Sequence, residues 1–430
     1  MKAWFKILFI SLLITTLILS GIVAFLWYRT EPIVYYNVPP GQSFIYSEGD
    51  PILDIENYLE NLIEKEKKKL KEEKQDFLYV NLKEMKIVLY QEGAELKSLP
   101  VAAKGADWFL GETPVGVYNA GYKARLHFSS SAHLWMPYSI QFFGNYFIHG
   151  WPYDNQGRMV QTEHSGGCVR LNTPDAAIVF DFVKKGMPIL IFNEKERSPL
   201  LAIKPISKEI TLPEIQAQFI LIADIETGEI ILNKDGDSQF YGGPAVNSLM
   251  LALTATEVIH LDRRIFARSW MFEEINERII TAGKSYSGYN LLRPLLIYSS
   301  QEAALVLSRF RTPKLFVSLM QEKTKSLGLE NTFFVDLTGK SKENTTSLYD
   351  IAKTFRYIND YRNFILNITN ELTSLSENEK ASKFAIFEME YKGEKRTIFI
   401  GLANSLKIEE DIKKALGWLE KDFGLIKIGT

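Results

Sequence analysis

The sequence predicts a multidomain chain: an N-terminal transmembrane helix, then a mainly-β domain, then a larger C-terminal α/β domain. Three observations predict it. The chain has 430 residues, too many for one hydrophobic core, so two or more domains are expected. Residues Ile7 to Tyr28 form an apolar run without a charged side chain. Short strand-like runs dominate from Phe77 to Phe192, whereas hairpins alternate with long helical stretches beyond Phe219.

Residues 1–30 read as an uncleaved membrane anchor. The Ile7–Tyr28 run is long enough to cross a hydrocarbon core of roughly 30 Å as a helix. Lys2 and Lys6 precede it, Arg29 and Glu31 follow it, and Trp27 and Tyr28 suit the membrane interface. No small-x-small site follows, which argues against a cleaved signal peptide. The N-terminus is expected inside a single-pass cell membrane, with everything after the anchor on the extracytoplasmic side. Residues 31–76 read as a linker, with Pro39-Pro40-Gly41, and a helical stalk. Asp50 followed by Pro51 suggests a helix start, and Ile52, Ile55, Leu59, Leu62 and Ile63 keep helical spacing. That helix is expected to hold the rest of the chain off the membrane.

Residues 77–194 form the first globular domain. Phe77–Asn81, Lys86–Tyr90, Leu99–Ala102, Val115–Tyr118, Tyr146–His149 and Met187–Phe192 read as strands, and Pro174–Lys185 as a short helix. The polar, proline-punctuated stretch 195–215 is expected to link it to the second domain, 216–430. There Phe219–Ala223 and Glu229–Leu232 form a hairpin around Thr227-Gly228. Val246–His260, Leu291–Arg309 and Pro313–Leu327 read as helices. Lys383–Tyr391 and Lys395–Leu402 make a strand pair, and a helix follows from Ile408 to Phe423.

Composition narrows the function. Hydrophobic content of 46% and charged content of 24% are those of a folded protein, and a net charge of −2 gives no electrostatic footprint for nucleic acid. No two of His127, His133 and His260 have metal-ligand spacing with a cysteine or acidic partner, so neither metal nor cofactor is expected. The chain has one cysteine, Cys168, so no disulfide can form within it. A lone cysteine is ordinarily a buried packing residue. Its neighbours point the other way.

A thiol at its free pKa is mostly protonated at neutral pH, so a catalytic cysteine needs a base beside it. His149 ends a strand-like run 19 positions before Cys168, a gap that suits two facing segments joined by a surface loop. Gly166 and Gly167 precede the cysteine and permit unusual backbone angles. They also leave the Gly167 and Cys168 N–H groups available for a developing oxyanion. Arg170 offers a cation for a substrate carboxylate, with a structural ion pair an equal alternative. Trp108, Trp135 and Trp151 suit either a groove lining or ordinary packing.

Ile148-His-Gly150 followed by Ser165-Gly-Gly-Cys-Val-Arg170 resembles the signature of YkuD-type L,D-transpeptidases. The resemblance runs from about Phe77 to Phe192, and takes in Gly111-Glu-Thr-Pro-Val-Gly116 and the groove segment Met136-Pro-Tyr138. It implies Cys168 as nucleophile and His149 as general base. Gly150 is implied to help orient the base, Ser165 and Gly167 to shape the loop and oxyanion hole, and Tyr138 and Arg170 to meet substrate. One departure is Gly166, where many members carry histidine; His164 is nearby but displaced.

Residues from about Gln218 onward resemble D-alanyl-D-alanine carboxypeptidases of the serine penicillin-binding-protein superfamily. The likeness includes Leu249–Leu253, Ser299–Ala304, Asp336-Leu-Thr-Gly339 and Thr346–Asp350. Aligned on Pro244-Ala245, the serine and lysine positions of that family fall on Val246 and Leu249. The next motif reads Ser299-Ser300-Gln301, and no Lys-Thr-Gly follows. Acyl-serine chemistry is therefore not expected from this domain. The resemblances together imply a peptidoglycan L,D-transpeptidase acting on peptide stems and forming 3→3 cross-links through a Cys168 thioester. Alternatives are an L,D-carboxypeptidase and a non-catalytic, membrane-tethered wall-binding scaffold.

Overall fold

The computed structural model describes residues 41, 43–45, 57–106, 111–130, 132–195, 197, 199–207, 209–272, 279–375 and 380–428. The expected anchor Ile7–Tyr28, the Asp50-Pro51 helix start and Trp108 lie outside them. Among the described residues, no helix is long and apolar enough to cross a membrane.

The first described strand, β1 (Ser43–Ile45), pairs far along the chain with a strand named below. Helix α1 (Tyr58–Glu72) lies within the expected stalk and is not a free-standing spacer. Its Ile63 and Leu70 are buried in a cluster with Phe77, Tyr79, Val88 and Tyr90. Lys67 Nζ sits 4.1 Å from the Tyr79 ring, so a charged stem also covers aromatic surface. The Glu- and Lys-rich remainder faces solvent, which is why it reads as a stalk.

The sheet beneath α1 has the order β4-β3-β2-β10-β5, from β2 (Phe77–Asn81), β3 (Lys86–Gln91), β4 (Ala94–Pro100), β5 (Gly116–Asn119) and β10 (Pro188–Phe192). Alternation sends Phe77 and Tyr79 toward α1, and Leu78 and Val80 into the main core. A second sheet has the order β6-β7-β8-β9: β6 (Lys123–Ser129), β7 (Leu134–Phe143), β8 (Tyr146–His149) and β9 (Val169–Arg170). β6 and β7 were not expected from the sequence. Pro137 interrupts the apolar run of β7, and Tyr138 takes a positive φ of 53° there. Helix α2 (Thr173–Phe182) follows β9 and packs on β7 and β8.

The stretch expected to link the domains is built into the second one. β11 (Glu209–Thr211) pairs with β1, and Ile203, Ile210 and Leu212 are buried against the C-terminal sheet. That sheet is antiparallel, in the order β13-β12-β16-β15-β14: β12 (Phe219–Asp224), β13 (Ile230–Lys234), β14 (Glu371–Leu375), β15 (Ala381–Tyr391) and β16 (Glu394–Ser405). Helix α3 (Gly243–Val258) crosses one side, almost wholly buried. The expected Leu291–Arg309 helix is two, α4 (Gly288–Tyr298) and α5 (Gln301–Ser308). Ser299 breaks it in the left-handed conformation at φ 49°, and the Ser300 hydroxyl caps α5. Helices α6 (Pro313–Ser326) and α7 (Leu348–Tyr361) complete that side, while α8 (Ile408–Trp418) covers the other.

The two domains share one continuous core, from Leu78 and Ile189 to Phe384 and Phe399. Inside it lies an ionic cluster fully shielded from water. Glu257 at the end of α3 meets Lys323 Nζ at 2.9 Å and Arg362 Nη2 at 3.1 Å. Tyr118 of the first domain accepts from Lys323 at 3.2 Å, and the Arg362 guanidinium donates to the Glu112 carbonyl at 3.2 Å. Burial lowers the Lys323 pKa to about 8, although Glu257 pulls the other way.

Candidate active site

β8 and β9 run parallel, with Ile148 opposite Val169 and His149 opposite Arg170. Cys168 precedes β9, so it and His149 project on the same face, one step apart diagonally. Both line a cavity of about 330 Å³, together with Met136, Asn145, Ser165 and Arg170. The Phe147 backbone N–H donates to Cys168 Sγ at 3.4 Å, and the thiol lies 3.9 Å from the Asn145 carbonyl oxygen.

His149 is almost completely buried. Its Nδ1 lies 2.6 Å from the Gly150 carbonyl oxygen. With Nδ1–H donating there, the lone pair of Nε2 is left to accept a proton. Gly150 N–H in turn donates to the Pro137 carbonyl at 2.9 Å, so the strand end that orients the imidazole is tied to β7. Burial brings the His149 pKa down to about 4. Burial likewise pushes the Cys168 thiol up to about 11, opposed by the Phe147 N–H and the Arg170 charge. The resting pair is a neutral thiol beside a neutral imidazole.

Ser165 closes the loop before the cysteine. Its hydroxyl donates to the Cys168 carbonyl at 2.5 Å and accepts the Gly167 N–H at 3.0 Å. That N–H is therefore committed within the loop, contrary to the expectation that it points at an oxyanion. Gly167 has φ 104°, and a Cβ there would lie 2.2 Å from the Tyr146 ring. Gly166 faces open space. Gly105 passes so close that its own Cβ would stand 2.8 Å from Gly167 Cα, and its N–H donates to Thr113 Oγ1 at 3.0 Å. This is how the Gly111–Gly116 turn supports the cysteine loop.

The remaining expected residues divide. Arg170 lines the cavity, but its Nη1 donates to Thr162 Oγ1 at 2.6 Å and it holds the surface loop as well as facing the site. Tyr138 does not reach the cavity; its ring meets Phe180 of α2 at 5.9 Å, because the positive φ turns it away from the face carrying Met136. Trp135 and Trp151 donate to Asn155 and Asn172 and are not among the cavity-lining residues. Sequence reasoning set His260 aside, yet it lines the cavity together with Val258, Asp262 and Tyr289 of the second domain. No sequence signal marks these four, because only the packing of the domains brings them there.

In the second domain, Val246 and Leu249 are 5% and 3% exposed, so the place of the nucleophile and base is filled with hydrocarbon. The Ser300 hydroxyl donates to Glu302 at 2.7 Å and caps α5, a structural role. Asp336-Leu-Thr-Gly339 packs on the start of α3, where Asn247 donates to the Asp336 carbonyl at 2.8 Å.

Comparison with known proteins agrees with this division. Residues 75–191 match the family model of the L,D-transpeptidase catalytic domain, and residues 206–395 that of D-alanyl-D-alanine carboxypeptidase. The chain thus joins a YkuD-type L,D-transpeptidase domain to a D-alanyl-D-alanine carboxypeptidase-type domain. Among solved structures, a D-alanyl-D-alanine carboxypeptidase from Mycobacterium tuberculosis H37Rv is 16% identical at TM-score 0.44, over 51% of this chain and 96% of that one. Penicillin binding protein 6B from Escherichia coli is 18% identical at TM-score 0.43, over 49% of this chain and 78% of that one. An L,D-transpeptidase from Stackebrandtia nassauensis is 20% identical at TM-score 0.24, over 28% and 56% respectively. No curated protein matches the chain.

Proposed function

We propose that the chain is a peptidoglycan L,D-transpeptidase that forms 3→3 cross-links through a thioester on Cys168. The two domain matches support a cell-wall peptidoglycan-modifying enzyme. The observation that carries the finer reading is the diagonal placement of Cys168 and His149 in one cavity, with the imidazole oriented by the Gly150 carbonyl. As a donor stem enters, the Cys168 sulfur attacks the carbonyl on the L-centre side of the L,D bond. The thiol proton passes to His149 Nε2 and then to the departing D-alanine nitrogen as the C–N bond breaks. An amine of a second stem then takes the acyl group, and the C–S bond breaks. Cys168 N–H, preceding β9, is the donor for the oxyanion, since Gly167 N–H serves Ser165.

The buried Val246 and Leu249 support a non-catalytic role for the second domain. The uncharged Ile7–Tyr28 run supports a single-pass anchor in the cell membrane, with both domains extracytoplasmic. The test is incubation with purified tetrapeptide stems, scoring 3→3 dimers against tripeptide with free D-alanine. Dimers that vanish in Cys168→Ala are expected. Tripeptide alone would replace the reading with an L,D-carboxypeptidase, and no product from the wild type would remove it.

A further inference from the structure

The wall of the Cys168 cavity opposite the first domain comes from the second domain: the end of α3 through Asp262, and Tyr289 of α4. This wall is held in place. Asn145 Nδ2 donates to the Val258 carbonyl at 2.7 Å, and Arg311 donates to the Asn145 side chain. Gly144 approaches so closely that a Cβ there would stand 2.5 Å from Val258 Cγ1. Behind it, Glu257 is locked to Lys323 and Arg362 without access to water.

The two walls differ in electrostatic character. The first-domain wall carries the Arg170 cation. The second-domain wall carries the C-terminal, carbonyl-bearing end of a 16-residue helix, which favours positive charge. It also carries two carboxylates, of which Glu257 is spent on the buried cluster and Asp262 is exposed. Asp262 and Tyr289 both line the cavity.

We propose that this wall is the acceptor subsite, in which Asp262, the end of α3 and Tyr289 hold the ammonium group of the incoming amine beside the Cys168 thioester. The inference rests on the thioester reading above. The bound ammonium releases one proton to solvent, and the neutral nitrogen bonds to the thioester carbon as the C–S bond breaks. The second amine proton passes through His149 to Cys168 Sγ. The inactive domain thereby becomes a specificity element for the active one.

The experiment compares full-length wild type, Asp262→Asn and Tyr289→Ala, each checked for an unchanged melting temperature. Donor tetrapeptide and a range of amine acceptor concentrations are supplied, and transfer product, hydrolysis product and Cys168 acylation are measured together. The subsite predicts acylation within about twofold of wild type in Asp262→Asn. It also predicts a rise of about tenfold or more in the acceptor concentration for half-maximal transfer, the scale of one lost charge interaction of ~1.4 kcal/mol, with product shifting toward hydrolysis. An unchanged transfer-to-hydrolysis ratio overturns the subsite while the thioester stands. So does a wild type that acylates but only hydrolyses. Absence of any Cys168 adduct on wild type removes both.

Discussion

The Asn145 side chain donates to the Val258 carbonyl at 2.7 Å, while the backbone carbonyl of the same Asn145 lies 3.9 Å from Cys168 Sγ. One residue in the turn between β7 and β8 thus touches both the thiol of the first domain and the helix end of the second. The second domain is part of the environment of the cysteine.

That coupling makes the buried ionic cluster consequential. Glu257→Ala takes from the buried Lys323 the carboxylate it bonds and leaves Arg362 with Glu112 at 3.8 Å, at the domain interface. Removing one partner of a buried pair costs about 3–5 kcal/mol. Chemical denaturation should show a loss of that size, accompanied by slower Cys168 acylation. A stability within about 0.5 kcal/mol of wild type would mean that the cluster does not hold the domains together.

The two glycines before the cysteine should behave differently. Gly167→Ala places a methyl 2.2 Å from the Tyr146 ring at φ 104°, so it should destabilise by at least ~1–3 kcal/mol and abolish acylation. Gly166→Ala points into open space and should stay within about 0.5 kcal/mol of wild type. Thermal melts of the two variants check the contrast.

A neutral resting pair has a pH signature. With the thiol pushed up to about 11, alkylation of Cys168 by iodoacetamide should be slow at neutral pH and accelerate through the alkaline range. Fast alkylation at pH 7 would reveal a preformed thiolate. His149, brought down to about 4, should keep accepting protons as pH falls through the range where a free imidazole, near 6.5, becomes charged. Because the folded state holds that proton less tightly than the unfolded chain, stability from neutral His149 is present above about pH 6.5 and declines as pH falls toward 4. Urea titrations of wild type and His149→Gln across that range should converge at low pH.

The second domain should be chemically silent. Val246 and Leu249 are packed where a nucleophile and base would stand. Cys168→Ala should therefore take up no acyl group from benzylpenicillin, as judged by intact mass. A serine adduct in that variant would contradict the assignment.

Much of this was legible in the chain. Strands Phe77–Asn81 and Tyr146–His149 stand where their apolar patterns put them, because each is bounded by turn residues and carries β-favouring side chains. The proximity of His149 and Cys168 was readable from the glycines and the strand end. Three features were not. β7 was hidden by Pro137, whose lack of an N–H marks a strand break in most contexts. Tyr138 was assigned to the substrate groove, but a positive φ, invisible in sequence, turns it onto Phe180. The contribution of Val258, His260, Asp262 and Tyr289 to the cavity depends on long-range packing that local pattern does not encode.

The most direct test of the central claim is the mass of the intact protein after incubation with a carbapenem, followed by peptide mapping. One acyl adduct per chain is expected, located on Cys168, lost in Cys168→Ala and strongly slowed in His149→Gln. No adduct on wild type, or an equal adduct on Cys168→Ala, would contradict it.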